Sequence, residues 1–402
     1  MEMNMDKSIS IKTDRQEQYD TDDQQGLVDF AVQAVRTRSY SDEEGDFARL
    51  IVGKMKELDY DDVFIDRTGN VVGRVGNGPE IIHFDSHMDT VEVNDADLWE
   101  APPFEGKIVD GCLWGRGSVD MKSALCASVY AAAIAKQQGL LDGKTVYVTV
   151  SVCEEYCDGE NIRQFYKQMD LKPDCCIICE PSDNVITLGH KGKAQIRITT
   201  NGLSAHGSAP EKGINAVYAM AEIIERVEAL NDRLSQKQGA HGTIVLSDIS
   251  CESASLNAVP SSCSIYLDRR LALGETLEQV RSEMDDLIKG KDAFWEVGTL
   301  YHTTWNGAEL VYEPMHDPWK IGEDAPLTQA MNRAYSKTFG EEPADYDFWD
   351  FGTNAITPVA MGVPTIGFGP GEYKLAHMRN EHCAVQKIKD ACRMYVNLIE
   401  EL

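Results

Sequence analysis

Apolar strands alternating with helical segments run from Gln25 to about Gly189, and this alternation restricts the chain to a mainly parallel sheet with helices packed on its faces. Apolar residues at helical spacing mark Leu27–Val35 and Phe47–Leu58, and Val119–Lys136 is nearly continuous in Ala, Leu, Val and Ile before Gly139 closes it. Strands are predicted at Asn70–Val75, Glu80–Phe84, Thr145–Val152 and Asp174–Cys179, and their unbroken apolar character places them inside the sheet, covered on both faces. From about Lys191 to His302 the rhythm changes. Strand Ala194–Thr200, helix Ile214–Leu234, strands Thr243–Ser250 and Cys263–Arg269, helix Leu277–Ile288 and strand Ala293–His302 follow one another. That β-α-β-β-α-β order matches a ferredoxin-like unit. Beyond it, Pro326–Phe339 reads as a helix, Pro364–Phe368 as a short buried strand and Val385–Leu398 as a closing helix. The predicted architecture is an α/β domain (1–190 and 303–402) interrupted by an inserted α+β domain (191–302).

Of the 402 residues, 66 are acidic and 38 basic, a formal net charge of −28. Such a chain is repelled by polyanions, which argues against nucleic acid or an anionic membrane as partner and favours small molecules or peptides. The polar segment Met1–Gln25 lacks the apolar core of a signal peptide, and no later stretch approaches the roughly 18 apolar residues of a membrane-spanning helix. The cytoplasm is the expected compartment. The 11 cysteines, an odd number scattered from Cys112 to Cys392, suit reduced thiols better than a disulfide framework. Cys176 and Cys179 form a C-x-x-C, but within a strand-like run and with no second pair at zinc-finger spacing, so they read as small buried hydrophobes.

In an open parallel sheet, ligands bind beyond the carboxyl ends of the strands. Asp85-Ser86-His87-Met88-Asp89 follows Ile81–Phe84, Cys153-Glu154-Glu155 follows the strand ending at Val152, and Glu180 follows Cys179. Asp120 sits where the glycine-rich run Gly115-Arg116-Gly117-Ser118-Val119-Asp120-Met121-Lys122 enters the long apolar helix. Taken singly, each acid is an ordinary loop residue or helix cap. Converging on one rim, a histidine and several carboxylates repel each other unless a cation lies among them. The thiolate-free donor set favours zinc, cobalt or manganese, with oxygen atoms enough for two ions sharing a carboxylate. Neighbours such as Glu154 and Glu155 point in different directions, so one can bind metal while the other stays free to move a proton.

These segments, together with Ser204-Ala205-His206-Gly207-Ser208, Asn257-Ala258-Val259-Pro260 and His377-Met378-Arg379-Asn380-Glu381, resemble the co-catalytic zinc peptidase family of acetylornithine deacetylase, succinyl-diaminopimelate desuccinylase, aminoacylase and the bacterial glutamate carboxypeptidases. The resemblance covers nearly the whole chain. It implies that Asp120 bridges two divalent ions, with His87 and Glu180 completing one site and Glu155 and His377 the other. His382 is the rival for His377. Glu154 would be the general acid/base, and Asp89 the carboxylate that accepts a ring N–H of His87 and fixes its tautomer. The inserted domain would be a lid and homodimer interface through which His206 reaches the partner's site to stabilise an oxyanion. Asn257 and Arg270 match substrate-holding positions, while Arg269 reads as a surface charge. Gly369 lies in the glycine loop Gly367-Phe368-Gly369-Pro370-Gly371. Thr353 and Asn354 stand where relatives have Gly-Thr-Asp or Ser-Thr-Asp, a departure that blocks transfer of substrate rules even as both are counted among the substrate contacts. Gly189-His190-Lys191-Gly192 and Asp268-Arg269-Arg270 bring the chain nearest the selenium-metabolism-linked hydrolase branch. The implied activity is cleavage of an N-acyl or N-carbamoyl bond of a small amino-acid derivative by metal-activated water, with zinc as the first choice of metal. A dipeptidase or carboxypeptidase with the same site is the alternative enzyme, and a non-catalytic metal-dependent binding protein the alternative of another class.

Overall fold

The structure is a computed structural model that describes residues 23–237 and 239–402. The reading of Met1–Gln25 therefore lies, up to residue 22, outside the described residues. The main sheet has nine strands, in the order Asp62–Ile65, Val71–Gly76, Lys144–Ser151, Glu80–His87, Cys175–Ile178, Thr365–Gly367, Thr187–His190, Trp319–Lys320, with Asp347–Trp349 also paired to Thr187–His190. Its four central strands, from Lys144–Ser151 to Thr365–Gly367, are parallel. The next pairings on either side are antiparallel, so the mainly parallel reading applies to the centre of the sheet. This is an α/β fold in which the carboxyl ends of the central strands share one rim.

Helix Lys122–Gln137 explains its own composition. It is sandwiched between the sheet and helix Val385–Glu401, and all its residues except Ile134, Lys136 and Gln137 are buried. A helix covered all round needs apolar or small residues all round. Even Lys122 is fully buried, its ammonium donating to the carbonyls of Ala34 (3.1 Å) and Thr37 (2.6 Å). Cys175, Cys176 and Cys179 are free thiols, buried in or beside their strand.

The inserted segment forms an antiparallel sheet in the order Thr243–Glu252, Ser262–Leu271, Gly192–Asn201, Ala293–Val297. Helices Ala216–Ser235 and Leu277–Ile288 share one apolar core with it. The second helix starts at a capping box in which Thr276 and Gln279 each bind the other's backbone amide. Two details differ from the expectation. The strand predicted over Ala293–His302 breaks at Val297, where the Thr299 amide turns back onto the Val297 carbonyl (2.8 Å), and its second half, Leu300–Thr303, pairs instead with Glu309–Tyr312. Met315–His316 returns to pair with Ala194 and Lys193, adding a fifth strand.

Candidate active site

Strand Glu80–His87 runs further than its apolar stretch predicts, so His87 is its last residue. Ser151 ends the neighbouring strand, and Cys153, at φ 51°, takes the left-handed conformation that turns the chain into a single helical turn, Glu154–Cys157. A non-glycine residue there needs support, which the buried Glu44 carboxylate gives by accepting the Cys153 amide (3.0 Å). The Asp89 carboxylate accepts the amides of Glu154 (3.0 Å) and Glu155 (3.2 Å) and the Ser41 hydroxyl (2.7 Å). His87 Nδ1 lies 3.0 Å from the Asp89 carbonyl and 3.4 Å from its carboxylate. Asp89 thus orients the His87 ring mainly through its backbone, while its side chain sets the glutamate pair.

Asp120 is held by a residue whose role the sequence left unassigned. The buried Glu381 carboxylate accepts the amides of Val119 (2.8 Å) and Asp120 (3.1 Å) and pairs with Arg116 (2.6 Å). Gly117, at φ +82°, is required in this loop, because a Cβ would sit 2.8 Å from the Thr90 methyl. The Asp120–Met121 peptide is cis.

The five expected ligands converge. His87 Nε2 is 2.9 Å from one oxygen of Asp120 and 3.6 Å from Glu180. His377 Nε2 is 3.2 Å from the other oxygen of Asp120 and 3.1 Å from Glu155. Asp120 therefore stands between two imidazoles, one oxygen to each. Donor atoms of His87, Asp120 and Glu155, and of His87, Glu154 and Glu180, also come within 4.8 Å of one another, so Glu154 lies beside the ligand set. The rival His382 stacks on Trp114 with ring centroids 4.5 Å apart, and its Nδ1 is 2.7 Å from the Asn380 carbonyl.

The electrostatics call for cations. Burial pushes Glu154, Glu155 and Glu180 up from the ordinary carboxylate range; Glu180's charge adds to the effect on Glu154, and Asp120's to that on Glu155. Hydrogen bonds to Asp120 and Glu155 push His377 up to about 10. Four carboxylates and two imidazoles in one cluster, buried at His87, Glu154 and Glu180 and half exposed at His377, are the donor chemistry of a divalent pair, which removes their mutual repulsion. Glu154 is buried and its Oε1 has no hydrogen-bond partner among the described residues. Such an atom needs a ligand, a water or a proton. The residues present fit two divalent ions.

Asp120, Glu154, Glu155, Glu180 and His377 line a cleft of about 290 Å³, together with Lys193 and Arg270 from the inserted sheet and with Pro181, Phe351, Gly352 and Tyr373. A larger cavity of about 590 Å³ lies at the opposite ends of the strands, beside Glu80 and Asp174, and contains none of the candidate residues. Arg270 lines the cleft as expected. Arg269 is no surface charge: it is fully buried and paired with Glu275 and Glu283, both 3.0 Å away. Gly369 lies behind the cleft wall, where a Cβ would come within 2.5 Å of the Cys179 and Glu180 carbonyls, so this glycine admits the loop against the strand end that carries Glu180.

Thr353 and Asn354, expected as substrate contacts, do not line the cleft and are buried behind it. The Asn354 amide donates to Asp85 (2.7 Å) and Ser151 (2.9 Å) and accepts from the Gly159 amide (2.6 Å), tying three strand-end segments together. Asn354→Ala is expected to lower stability by roughly 2–4 kcal/mol, since it strands buried partners, while changing KM little; chemical denaturation beside kinetics checks this, and a KM effect without a stability loss would restore it as a substrate contact. His206 and Asn257 are adjacent, the Gly207 amide donating to the Asn257 carbonyl (2.6 Å), but both side chains are exposed and neither lines the cleft of its own chain. Lys193, Asp158 and Glu381 were missed; an acid four residues after Glu154 is the signal that could have found Asp158, whereas Lys193 lies in phase with Gln195 and Arg197 on the polar face of its strand and gave none.

Residues 83–401 match the profile of peptidase family M20/M25/M40. The uncharacterized protein YgeY of Escherichia coli strain K12 is 34% identical, over 93% of this chain and 94% of its own length. A probable succinyl-diaminopimelate desuccinylase of Staphylococcus epidermidis is 24% identical, over 94% and 97%. Among solved structures, aminopeptidase PepT of Bacillus cereus superposes with a TM-score of 0.69 at 21% identity, covering 94% of this chain and 98% of that one. The YXEP protein of Bacillus subtilis, a dinuclear metal-binding peptidase of the M20 family, gives 0.67 at 12% identity, over 94% and 98%. At such identities the structural likeness bears on the fold alone.

Proposed function

The chain belongs to peptidase family M20/M25/M40 and is a metal-dependent hydrolase of amide or peptide bonds, and we propose that its substrate is an N-acyl or N-carbamoyl derivative of a small amino acid. The observation that carries the reading is the buried Glu154 carboxylate, with an unpartnered oxygen, beside an Asp120 placed between two imidazoles. His87, Asp120 and Glu180 would hold one ion, and Asp120, Glu155 and His377 the other, zinc being the first choice for this mixed nitrogen and oxygen set. When bound, the two ions supply Lewis acidity toward a carbonyl oxygen and acidify a water molecule. Glu154 takes that water's proton and returns it to the leaving nitrogen, a task suited to a buried carboxylate whose affinity for protons is raised. Arg270 seats the carboxylate next to the scissile bond. Pro181, Phe351 and Tyr373 restrict water in the cleft.

The unit 191–302 acts as lid and dimerisation domain between the two parts of the catalytic domain, 1–190 and 303–402. Support comes from its edge strand Thr243–Glu252, which is paired on one side only and exposes Val245 and Ile249, and from exposed Leu203, Ile214, Tyr218 and Leu256 around the His206 segment. A second copy would cover this surface and bring His206 to the partner's cleft. No helix of the described residues is long and apolar enough to cross a membrane, and the free cysteines fit the cytoplasm.

Hydrolysis of a panel of N-acyl and N-carbamoyl amino acids and dipeptides with added zinc, cobalt or manganese tests the substrate class. Turnover confined to dipeptides would replace it with a dipeptidase. For the ligand set, His377→Ala is expected to lower metal occupancy and activity at least ~10-fold while His382→Ala spares metal binding, because a site with few protein ligands cannot lose one. Metal analysis of the two variants decides, and the reverse ranking overturns the choice.

A further inference from the structure

Lys193 and Arg270 are directly paired across neighbouring antiparallel strands. Directly opposed residues point to the same face of a sheet, and both side chains line the cleft that holds the metal-ligand cluster. Each cation is steadied by one acid. Arg270 donates Nε and one Nη2 hydrogen to Asp268 (2.7 and 3.0 Å), and Lys193, itself buried, donates to both oxygens of Asp158 (3.1 and 2.9 Å). A guanidinium has five N–H donors and an ammonium three, so Arg270 keeps three and Lys193 one for another partner. Asp158 ends the turn that carries Glu154 and Glu155, so the Lys193 ammonium is anchored to the segment that moves the proton.

We propose that Lys193 and Arg270 form a two-cation seat and that the preferred substrate carries two carboxylates: one next to the scissile bond, held by Arg270, and a second held by Lys193. This deepens the amide-hydrolase reading and rests on it for the position of the first carboxylate. A buried ammonium that lines the cleft beside the Tyr312 ring, with one donor beyond its two to Asp158, discriminates strongly, because a substrate lacking the second carboxylate leaves that donor unmatched. The second carboxylate sits either on the amino-acid side chain or on the far end of the acyl group, and the two sources share this chemistry.

The test compares N-acetyl-L-glutamate, N-succinyl-L-alanine and N-acetyl-L-alanine on the zinc-loaded enzyme. One of the two dicarboxylates is expected to exceed N-acetyl-L-alanine at least ~10-fold in kcat/KM, the scale of one charge-assisted hydrogen bond, and which one does so identifies the source. Removing Lys193 alone would strand Asp158, so the decisive variant is the double change Lys193→Met with Asp158→Asn. It is expected to bring the ratio to within about twofold, whereas Lys193→Arg keeps it. A general loss of activity cancels in the ratio. Calorimetric binding of succinate and L-glutamate against acetate and L-alanine gives a readout that needs no turnover. If no amide is cleaved but the dicarboxylate preference in binding disappears in the double variant, the substrate proposal above fails and the two-cation seat stands. A wild-type ratio near one in both readouts, or a preference that survives the double variant, overturns it.

Discussion

Glu154→Gln is expected to leave the protein folded and its metal content near normal while lowering kcat at least ~10²-fold. The amide has the size of the carboxylate, and the Glu154 amide hydrogen still reaches Asp89 (3.0 Å), so the helical turn and the neighbouring Glu155 keep their places. What disappears is the proton acceptor. Glu154 is buried, its Oε1 has no hydrogen-bond partner among the described residues, and burial with the Glu180 charge raises its proton affinity; with Asp120, Glu155 and Glu180 as the proposed metal ligands and Asp158 paired with Lys193, it is the carboxylate of the cleft left for proton transfer. Glu155→Gln is the contrasting variant: its carboxylate is 3.1 Å from His377, and its change is expected to lower metal occupancy first. Metal analysis beside steady-state kinetics separates the two. Near-normal turnover of a fully metallated Glu154→Gln protein would remove Glu154 from the mechanism.

The second large effect is a recovery. His206→Ala and Glu154→Gln homodimers are each expected to be nearly inactive, and exchange of subunits between them is expected to restore about one working site per mixed dimer. The mixed dimer contains one site with both an intact Glu154 and a His206 lent by the other chain, provided His206 acts across the interface. The placement of His206 motivates this: it is exposed on the inserted unit, its Nδ1 held 2.7 Å from the Ser208 hydroxyl, and it is absent from the cleft of its own chain. Absence of recovery despite exchange shown by mass spectrometry, or full activity of a strictly monomeric species in light scattering, would end the proposal of a shared site.

The alternation of elements was legible because a helix covered on all sides needs a nearly unbroken apolar run, as in Lys122–Gln137, and a half-covered one needs apolar residues at helical spacing, as in Leu277–Ile288 with its buried Val280, Met284 and Leu287, whereas strand Glu80–His87 outran its apolar stretch by the polar residues that end it. The convergence of His87, Glu155 and Glu180 was legible for a related reason: strand ends in a parallel sheet share a rim, so position along the chain implies position in space, whereas Asp120, at a loop entering a helix, was placed among them by the motif around it. Short strands such as Trp319–Lys320 and His382–Ala384 carried too few residues to show a period. The division of labour among polar residues was not legible either. Asn354 turned out to brace the strand ends from behind, Thr353 to be buried beside it, Arg269 to pair with two acids inside the inserted unit, and Glu381, more than 250 residues along the chain, to hold Asp120 in place. Local sequence determined the elements, because burial acts on each segment through its own apolar pattern. Which charged side chains meet, and so which face the cleft and which hold it in shape, was decided only by tertiary packing, because an ion pair depends on distance in space and leaves no periodicity in the chain.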